Sequence, residues 1–529
     1  MKRKQSILSK VSKLALAFGL ALAASAVQAQ ENWPQAAGPS GNWSETTKSA
    51  PPTQWSVARN ENIVWRTVLP ETGQSGIAVW GSRLFLTIME PLSPDPKTRE
   101  GHDIVGYCLN SRTGKVLWTV SIPGTENSAY AYGFSDSTSP TPVTDGQAVW
   151  FCNSSGAIVC CDLKGKTLWR HEWKPTTGRP FNKQFEPILY KETLLNMEPR
   201  DPNDPRNRRD PWNYLRGLDK KTGKTLWVSE DALTHYNTPV FGLLPDKTPA
   251  ILQGRGGYHD APEMPTGLSL TSLAPGTAGK SLWKFEAQGK ALYTQHWTNQ
   301  YAFWFDQDAQ QHLVIDIKTG KLLRSQSLVK GVDYRYYDAA KKKYVLQALT
   351  DLDKTSPPTL VFPAWFCNVV TGGYHYFLCF TDPASHFGPS YCVGRINIDT
   401  GKAEYLELPV QVIRDPGEPD KMIWNQPQPS DTTNARGIDA AGDPRSKRDG
   451  WYWDFLGSPT VLNGKIYITT MLGVTYVVDG AAKILDENAL LAVNDLGIAG
   501  RTWSLNSLSY ANGKIYHRSM KEVVCIGAK

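Results

Sequence analysis

The chain contains 529 residues, of which 40% are hydrophobic and 20% are charged, and its formal net charge is +7. Five of the basic residues lie within the first 13 positions, so the rest of the chain carries a net charge of only +2. This balance does not indicate a nucleic-acid-binding protein, and no apolar run reaches the roughly 20 residues that a transmembrane helix needs.

Residues 1–29 predict a secretory signal peptide. A basic start, MKRKQSILSKVSK, precedes an apolar stretch, LALAFGLALAASA, and small residues surround a cleavage site at Ala29. The first cysteine is Cys108, so no cysteine near the cleavage site could carry a lipid. We therefore expect a periplasmic or secreted protein. Its eight cysteines could form disulfides, whose connectivity the sequence does not give.

Residues 30–60 predict an extended N-terminal segment, and a short motif then recurs six times along the chain. In its first four copies, a tryptophan follows the lysine of a Gly-Lys pair by three residues. The copies are NSRTGKVLW (110–118), CDLKGKTLW (161–169), LDKKTGKTLW (218–227), GTAGKSLW (276–283), IDIKTGKLLR (315–324) and INIDTGKAEY (396–405). Their glycines are 41 to 81 residues apart, which indicates a unit of about 45 residues with insertions of variable length.

Each unit predicts four short antiparallel strands. Alternating segments such as AVWFC and AIVCCD are separated by turns rich in Gly, Asn and Asp. Four-stranded units that repeat radially form a β-propeller. Eight units begin near Ser75, Thr138, Phe185, Thr238, His296, Thr359, Ser458 and Ser504. The last unit lacks an outer strand, so we expect ENIVWRTVLP (61–70) to complete it and close the ring.

The TGKxLW repeat resembles the PQQ-like (quinoprotein-type) eight-bladed propeller superfamily. That superfamily includes quinoprotein alcohol dehydrogenases and the propeller subunit of the bacterial outer-membrane assembly machine. The segment ENWPQAAGPSGNW (31–43) is similar to the WPQxxGP-type entry segment of exported propellers, although Ala36 and Ala37 replace the usual aromatic residue and arginine. The resemblance implies an all-β fold, a single propeller of about eight blades over residues 61–529, with a long insertion at 411–454.

The adjacent cysteines Cys160 and Cys161 raise the question of a redox site. Alignment of the repeats places them on the strand before a Gly-Lys turn, where neighbouring side chains point to opposite faces. Their Cα atoms would be about 3.8 Å apart, which is shorter than the usual span of a disulfide. We interpret them as packed thiols. No CxxCH haem motif is present, and no run matches the acidic residue, Asn and Asp that the resemblance implies for a calcium-bound quinone.

The loops that enter each innermost strand lie on one face of a propeller together with the loops that join the second and third strands. We call this the looped face, and five long insertions fall on it, which predicts a binding surface. Catalysis itself is left open. The candidate catalytic residues are His235, His296, Asp454 and Arg501. The candidate ligand-binding residues are Asp136, Glu186, Tyr236, Trp297 and Trp503. Neither HxH nor HxxxH spacing is present, so no metal site is predicted.

Three functions are compatible with these features. The first, which we favour, is a binding or assembly module that takes a glycan, peptide or protein ligand at the looped face and the mouth of the channel. The second is a quinoprotein dehydrogenase with pyrroloquinoline quinone (PQQ) and calcium as cofactors. The third is a polysaccharide lyase or hydrolase with acid-base chemistry at the channel mouth.

Overall fold

The structure is a computed structural model, and it describes most of the chain beyond residue 30. The described residues are 31–91, 102–126, 136–176, 185–200, 212–234, 236–257, 261–289, 294–382, 391–424, 432–439 and 457–528. Residues 31–529 form a single compact unit. Within the described ranges, no helix is long and apolar enough to cross a membrane.

The first half of the described chain contains two separate strands and four blades of four strands each. The two strands are β1 (Ser44–Glu45) and β2 (Ile63–Val68). Blade 1 consists of β3 (Ala78–Trp80), β4 (Arg83–Met89), β5 (Ile104–Asn110) and β6 (Val116–Ile122). Blade 2 consists of β7 (Val143–Thr144), β8 (Ala148–Asn153), β9 (Ala157–Asp162) and β10 (Thr167–Glu172). Blade 3 consists of β11 (Ile188–Tyr190), β12 (Thr193–Pro199), β13 (Asn213–Asp219) and β14 (Thr225–Ala232). Blade 4 consists of β15 (Val240–Leu243), β16 (Pro249–Arg255), β17 (Gly267–Ser272) and β18 (Ser281–Glu286).

The second half contains four further blades and two additional hairpins. Blade 5 consists of β19 (Tyr301–Asp306), β20 (Gln311–Asp316) and β21 (Leu322–Ser327). The first hairpin, β22 (Val332–Asp338) and β23 (Lys343–Thr350), is followed by a 3-10 helix, Leu352–Lys354. Blade 6 consists of β24 (Leu360–Thr371), β25 (Tyr374–Asp382), β26 (Tyr391–Asn397) and β27 (Ala403–Leu408). The second hairpin is β28 (Gln411–Ile413) and β29 (Lys421–Ile423). Blade 7 consists of β30 (Thr460–Leu462), β31 (Lys465–Thr469), β32 (Val474–Asp479) and β33 (Leu490–Asp495), with a 3-10 helix at Glu487–Ala489. Blade 8 contains β34 (Ser509–Ala511), β35 (Lys514–Arg518) and β36 (Glu522–Ile526).

These sheets confirm the predicted all-β propeller of eight blades, and the N-terminal strand closes it. β2 pairs antiparallel with β36, with Trp65 opposite Cys525 and Val68 opposite Glu522. The order of the blade 8 sheet is therefore β2-β36-β35-β34, with the N-terminal strand outermost. The beginning and the end of the propeller are thus held together by backbone hydrogen bonds, as the incomplete last repeat predicted.

The repeated tryptophans pack between neighbouring blades. The indole Nε1 of Trp118 in blade 1 donates to the carbonyl oxygen of Leu163 in blade 2 at 3.1 Å. Its ring covers Gly165, where an added Cβ would lie 2.9 Å from the indole. Trp65 on β2 makes the equivalent contact with the carbonyl of Ser111 at 3.0 Å, across the closure of the ring. Each indole buries its apolar body at a seam while its N–H is satisfied.

Three sheets depart from the four-stranded unit, and in blade 7 the N-terminal strand β1 is the fifth strand. In blade 5, an isolated bridge between Trp297 and Ala302 takes the place of the innermost strand. In blade 6, β22 pairs in parallel with β27, so the β22–β23 hairpin extends the sheet to six strands. The sequence did not reveal this addition, because its alternating residues have the same period as a blade strand.

The segment before the propeller crosses the end of the channel opposite the looped face. β1 pairs in parallel with β30, the innermost strand of blade 7. Trp33 bridges Val79 in blade 1, and the carbonyl of Pro34 accepts from the N–H of Thr144 in blade 2 at 2.9 Å. These partners lie near the hairpin ends of the innermost strands.

Candidate functional site at the channel mouth

Charged side chains from three blades and the long insertion meet where the innermost strands of blades 1 and 2 begin. Glu71 precedes β3, Asp136 precedes β7, and Arg518 ends β35. The long insertion contributes Asn434 and Arg436. We call these five residues the mouth cluster.

Asp136 is a buried carboxylate with one oxygen satisfied. Its Oδ1 accepts from the N–H of Thr138 at 2.8 Å and also from the Thr138 hydroxyl. Its Oδ2 is buried and has no hydrogen-bond partner among the described residues. Desolvation raises the pKa of Asp136 to about 6, although the Thr138 hydrogen bonds and the charge of Arg518 act in the opposite direction.

Arg518 is a fully buried guanidinium with only one nitrogen satisfied. Its Nη1 donates to the carbonyl oxygen of Thr87 at 2.6 Å and to Ser75 Oγ at 3.3 Å. Its Nε and Nη2, which form the opposite edge of the guanidinium, have no acceptor in the described part of the chain. Desolvation lowers the pKa of Arg518 to about 10, and the charge of Asp136 partly opposes this shift.

A short hydrogen-bond chain connects the two charges without a direct ion pair between them. Thr87 accepts from Arg518 through its carbonyl, and its hydroxyl donates to the carbonyl of Thr138 at 3.3 Å. Thr138 in turn donates to Asp136. Gly73 makes room for the guanidinium, because an added Cβ would lie 2.7 Å from Arg518 Nη2 and 2.6 Å from the Thr87 carbonyl oxygen.

Glu71 joins the long insertion to the entry of blade 1. Its buried carboxylate accepts from the Asn434 amide and pairs with the Arg436 guanidinium. Asn434 Oδ1 accepts from the backbone N–H groups of Arg436 at 2.9 Å and Ile438 at 3.0 Å, which fixes the turn that presents both side chains. The insertion therefore covers the mouth at this point.

Two other predicted residues, Glu186 and His296, lie just before β11 in blade 3 and just before the Trp297 bridge in blade 5. Glu186 is buried, and its Oε2 accepts from the N–H of Thr141 in the neighbouring blade at 2.6 Å. His296 is buried with its ring centroid 6.1 Å from that of Trp43, in the N-terminal segment. Burial lowers the pKa of His296 to about 3, so the imidazole is neutral at physiological pH.

The remaining predicted residues are dispersed. Tyr236 and Trp503 belong to the main buried core. Trp297 is buried and donates from Nε1 to the carbonyl of Val240 at 2.8 Å, whereas Arg501 is exposed. His235 and Asp454 lie outside the described residues. Of the seven predicted residues that the structure describes, only Asp136 belongs to the mouth cluster.

Four members of the mouth cluster were not predicted from the sequence: Glu71, Asn434, Arg436 and Arg518. For Arg518, the alignment of the repeats contained a usable signal. The strand register aligns Arg518 of β35 with Thr87 of β4 and Thr469 of β31. An arginine at the position where blades 1 and 7 have threonine would have marked this residue. Glu71, Asn434 and Arg436 carry no such signal, because their contact spans more than 360 residues of sequence.

The donor set at the mouth does not match a calcium-bound quinone. No group of three or more His, Cys, Asp or Glu side chains that could hold a metal ion occurs in the described ranges. Glu71 is occupied by an arginine and an amide, and the Asp136 carboxylate is desolvated and already accepts two hydrogen bonds from Thr138. We therefore derive no step through a quinone.

The fold defines a PQQ-like β-propeller, and sequence comparison identifies the family. The model of the family PQQ_2, described as outer membrane protein assembly factor BamB, matches residues 56–326, which is just over half of the chain. The chain belongs to this family. No curated protein matches its sequence.

Solved structures share the fold at low sequence identity. The quinohemoprotein alcohol dehydrogenase from Comamonas testosteroni matches with a TM-score of 0.53 and 11% identity, covering 94% of this chain and 81% of that chain. BamB from Moraxella catarrhalis matches with a TM-score of 0.43 and 12% identity, covering 88% of this chain and 97% of that chain. At this identity the first likeness shows the fold alone, and function has to be argued from the site.

Proposed function

We propose that this protein is an exported binding or assembly propeller that takes its ligand at the looped face, with the mouth cluster as the polar part of the site. One observation carries the proposal: Asp136 and Arg518 are fully buried, carry opposite charges, and each has charged-group atoms without a hydrogen-bond partner.

The energetic cost of this arrangement supports a ligand. A buried charged group whose hydrogen bonds are unmade costs about 1–3 kcal/mol or more relative to a satisfied one. A direct ion pair would remove much of that cost, but Asp136 accepts no hydrogen bond from Arg518, and the described residues link the two only through Thr87 and Thr138. A polar ligand that reaches both groups would supply the missing partners.

The geometry of the propeller supports entry from the looped face. The N-terminal segment crosses the opposite end of the channel through its contacts with blades 1, 2 and 7. The long insertion reaches the mouth through Glu71, so an occupant there would also contact Asn434 and Arg436. Because the buried carboxylate of Glu71 holds the insertion at the site, a ligand or protein partner that binds there would also act on the insertion.

Export and a role in assembly are supported by the leader sequence and by the description of the family, and not by the fold itself. The basic and apolar leader predicts secretion, and the family is described as an outer membrane assembly factor. A binding role therefore agrees with both observations. The two enzymatic alternatives, a quinoprotein dehydrogenase and a polysaccharide lyase or hydrolase, are outcomes that the same experiment distinguishes.

A thermal-unfolding screen of the mature protein tests this proposal. The panel contains PQQ with and without calcium, divalent metals, acidic and neutral oligosaccharides, and peptides. A ligand of the native state at a hundred times its Kd stabilises the protein by about 2.7 kcal/mol. We expect a shift with a polar ligand and no turnover. A shift that needs both PQQ and calcium would contradict the proposal, as would release of unsaturated products from a uronate polymer.

A further inference from the structure

We infer that the mouth cluster binds a hydroxycarboxylate: the carboxylate occupies the Nε–Nη2 edge of Arg518, and a neighbouring hydroxyl donates to Asp136 Oδ2. This inference rests on the proposed function and names the chemistry of its ligand. It is carried by the two unsatisfied groups and by a second buried arginine in the same molecule.

Arg395 shows what a satisfied guanidinium looks like in this propeller. It lies on β26 and is fully buried, like Arg518. Its Nε and Nη2 both lie 2.7 Å from Oε2 of Glu404. Its Nη1 donates to Tyr376 Oη at 3.0 Å, and its Nη2 donates to the carbonyl of Lys483 at 3.0 Å. The edge that holds a carboxylate in Arg395 is the edge that lacks an acceptor in Arg518.

The guanidinium edge selects the anionic half of the ligand. Nε–H and Nη2–H point in parallel directions, and a planar carboxylate can accept from both at once. Nη1 of Arg518 is already held by Thr87 and Ser75, so the guanidinium is fixed in orientation before a ligand arrives. A neutral ligand would supply an acceptor but would not form the charge-assisted, bidentate pair that a carboxylate forms with this edge.

Asp136 selects the second half of the ligand. Its Oδ1 is occupied by both donors of Thr138, and only Oδ2 remains. A carboxylate oxygen accepts hydrogen bonds, so the ligand group that meets it is a donor. A hydroxyl donates without adding a charge, and a hydroxycarboxylate combines the acceptor for Arg518 with the donor for Asp136.

Four probes separate the two halves of this recognition. They are D-galacturonate and its neutral counterpart D-galactose, and glycolate and its counterpart acetate, which lacks the hydroxyl. Thermal unfolding of the mature protein is followed against each probe, with the sodium salts matched in ionic strength by sodium chloride. We expect galacturonate and glycolate to stabilise the protein, acetate to do so more weakly, and galactose not at all.

Three variants assign the effect to residues. Arg518→Lys keeps the charge but removes the two parallel N–H donors of the guanidinium. The affinity for galacturonate and for glycolate should therefore fall at least about tenfold. Asp136→Asn should reduce the preference for glycolate over acetate while binding of acetate remains. Arg395→Lys is the matched control, because it removes the guanidinium of another fully buried arginine, in blade 6. We expect this variant to lower Tm and to leave the affinity for each acid within about twofold of the wild type.

Several results would overturn the inference. They are equal stabilisation by galactose and galacturonate, unchanged affinity in Arg518→Lys, and no stabilisation of the wild type by any acid. If a neutral glycan, a peptide or a protein partner still binds in the wider screen, the proposed function survives and only this ligand class is wrong. If nothing in that screen binds, both fail.

Discussion

Two fully buried arginines of the propeller, Arg395 and Arg518, have opposite surroundings. On β26, Arg395 lies directly opposite Glu404 of β27, so the neighbouring strand supplies its carboxylate. On β35, Arg518 lies opposite Val523 of β36, which supplies none. The strand register therefore completes the first site within one blade and leaves the second open at the seam between blades 8 and 1.

The comparison distinguishes an arginine that stabilises the fold, Arg395, from one that we assign to ligand binding, Arg518. Arg395 is held by a carboxylate, a tyrosine hydroxyl and backbone carbonyls, and it also lies over the ring of Tyr374 at 4.1 Å. A buried ion pair of this kind need not add net stability, but breaking it is costly. Arg518 has no such partner set, so its removal should cost little in stability and much in ligand binding.

The largest expected loss of stability follows from a substitution of Arg395 in blade 6. Arg395→Met should lower the free energy of unfolding by about 3–5 kcal/mol, because Glu404 is left as an uncompensated buried carboxylate. Chemical denaturation of the mature protein measures this value. The double variant Arg395→Met with Glu404→Gln should recover part of the loss, and a single variant as stable as the wild type would show that Arg395 is not structural.

The next effect depends on pH and concerns Asp136. Its folded-state pKa of about 6 lies above the ordinary value of 3.8, so the folded protein binds more protons than the unfolded chain between these values. The contribution of Asp136 to stability therefore falls as pH rises from about 4 to about 6. Asp136→Asn does not titrate, and its Oδ1 can still accept from Thr138.

The advantage of Asp136→Asn over the wild type should thus be absent below about pH 4 and reach about 3 kcal/mol above pH 6. Paired denaturation curves at several pH values measure the difference. A gap that is constant with pH, or that grows as pH falls, would contradict the raised pKa.

Gly73→Ala should give a smaller loss, of about 1–3 kcal/mol, because the new methyl group would overlap the Thr87 carbonyl and Arg518 Nη2. The guanidinium would have to move, so binding of galacturonate should weaken as well. Thermal unfolding with and without the acid measures both effects. Loss of stability with full binding would mean that Gly73 does not position Arg518.

The smallest effect on stability is expected for Arg518→Met. The substitution removes two hydrogen bonds but also removes a desolvated charge, so unfolding should change by less than about 1 kcal/mol in either direction. Its contrast with Arg395→Met, measured under the same conditions, sharpens the comparison. Equal losses in the two variants would show that Arg518 is satisfied and structural.

The sequence predicted the propeller better than the site, and the reason is physical. The glycine of a Gly-Lys turn packs against the tryptophan of the preceding outer strand, as Gly165 does against Trp118, and this contact recurs at five of the Gly-Lys turns. The closing strand followed from the missing eighth outer strand. The β22–β23 hairpin has no distinguishing period, and the path of residues 31–49 depends on partners in several blades.

The site depends on contacts that no local pattern records. Asp136 was predicted because it lies in an entry loop. Arg518 lacks a carboxylate partner among the described residues because Val523 lies opposite it on the neighbouring strand. Its guanidinium is held by the carbonyl of Thr87, which lies 431 positions away in the chain. Glu71 is likewise defined by Asn434 and Arg436 in an insertion whose length alone suggested a function.

The most direct test of the ligand site is a crystal structure of the mature protein soaked with D-galacturonate. We expect density for a planar carboxylate within hydrogen-bond distance of Arg518 Nε and Nη2, and for a hydroxyl on Asp136 Oδ2. Ordered waters alone at both groups in the soaked crystal, or a side-chain carboxylate of the chain itself on that edge, would contradict it.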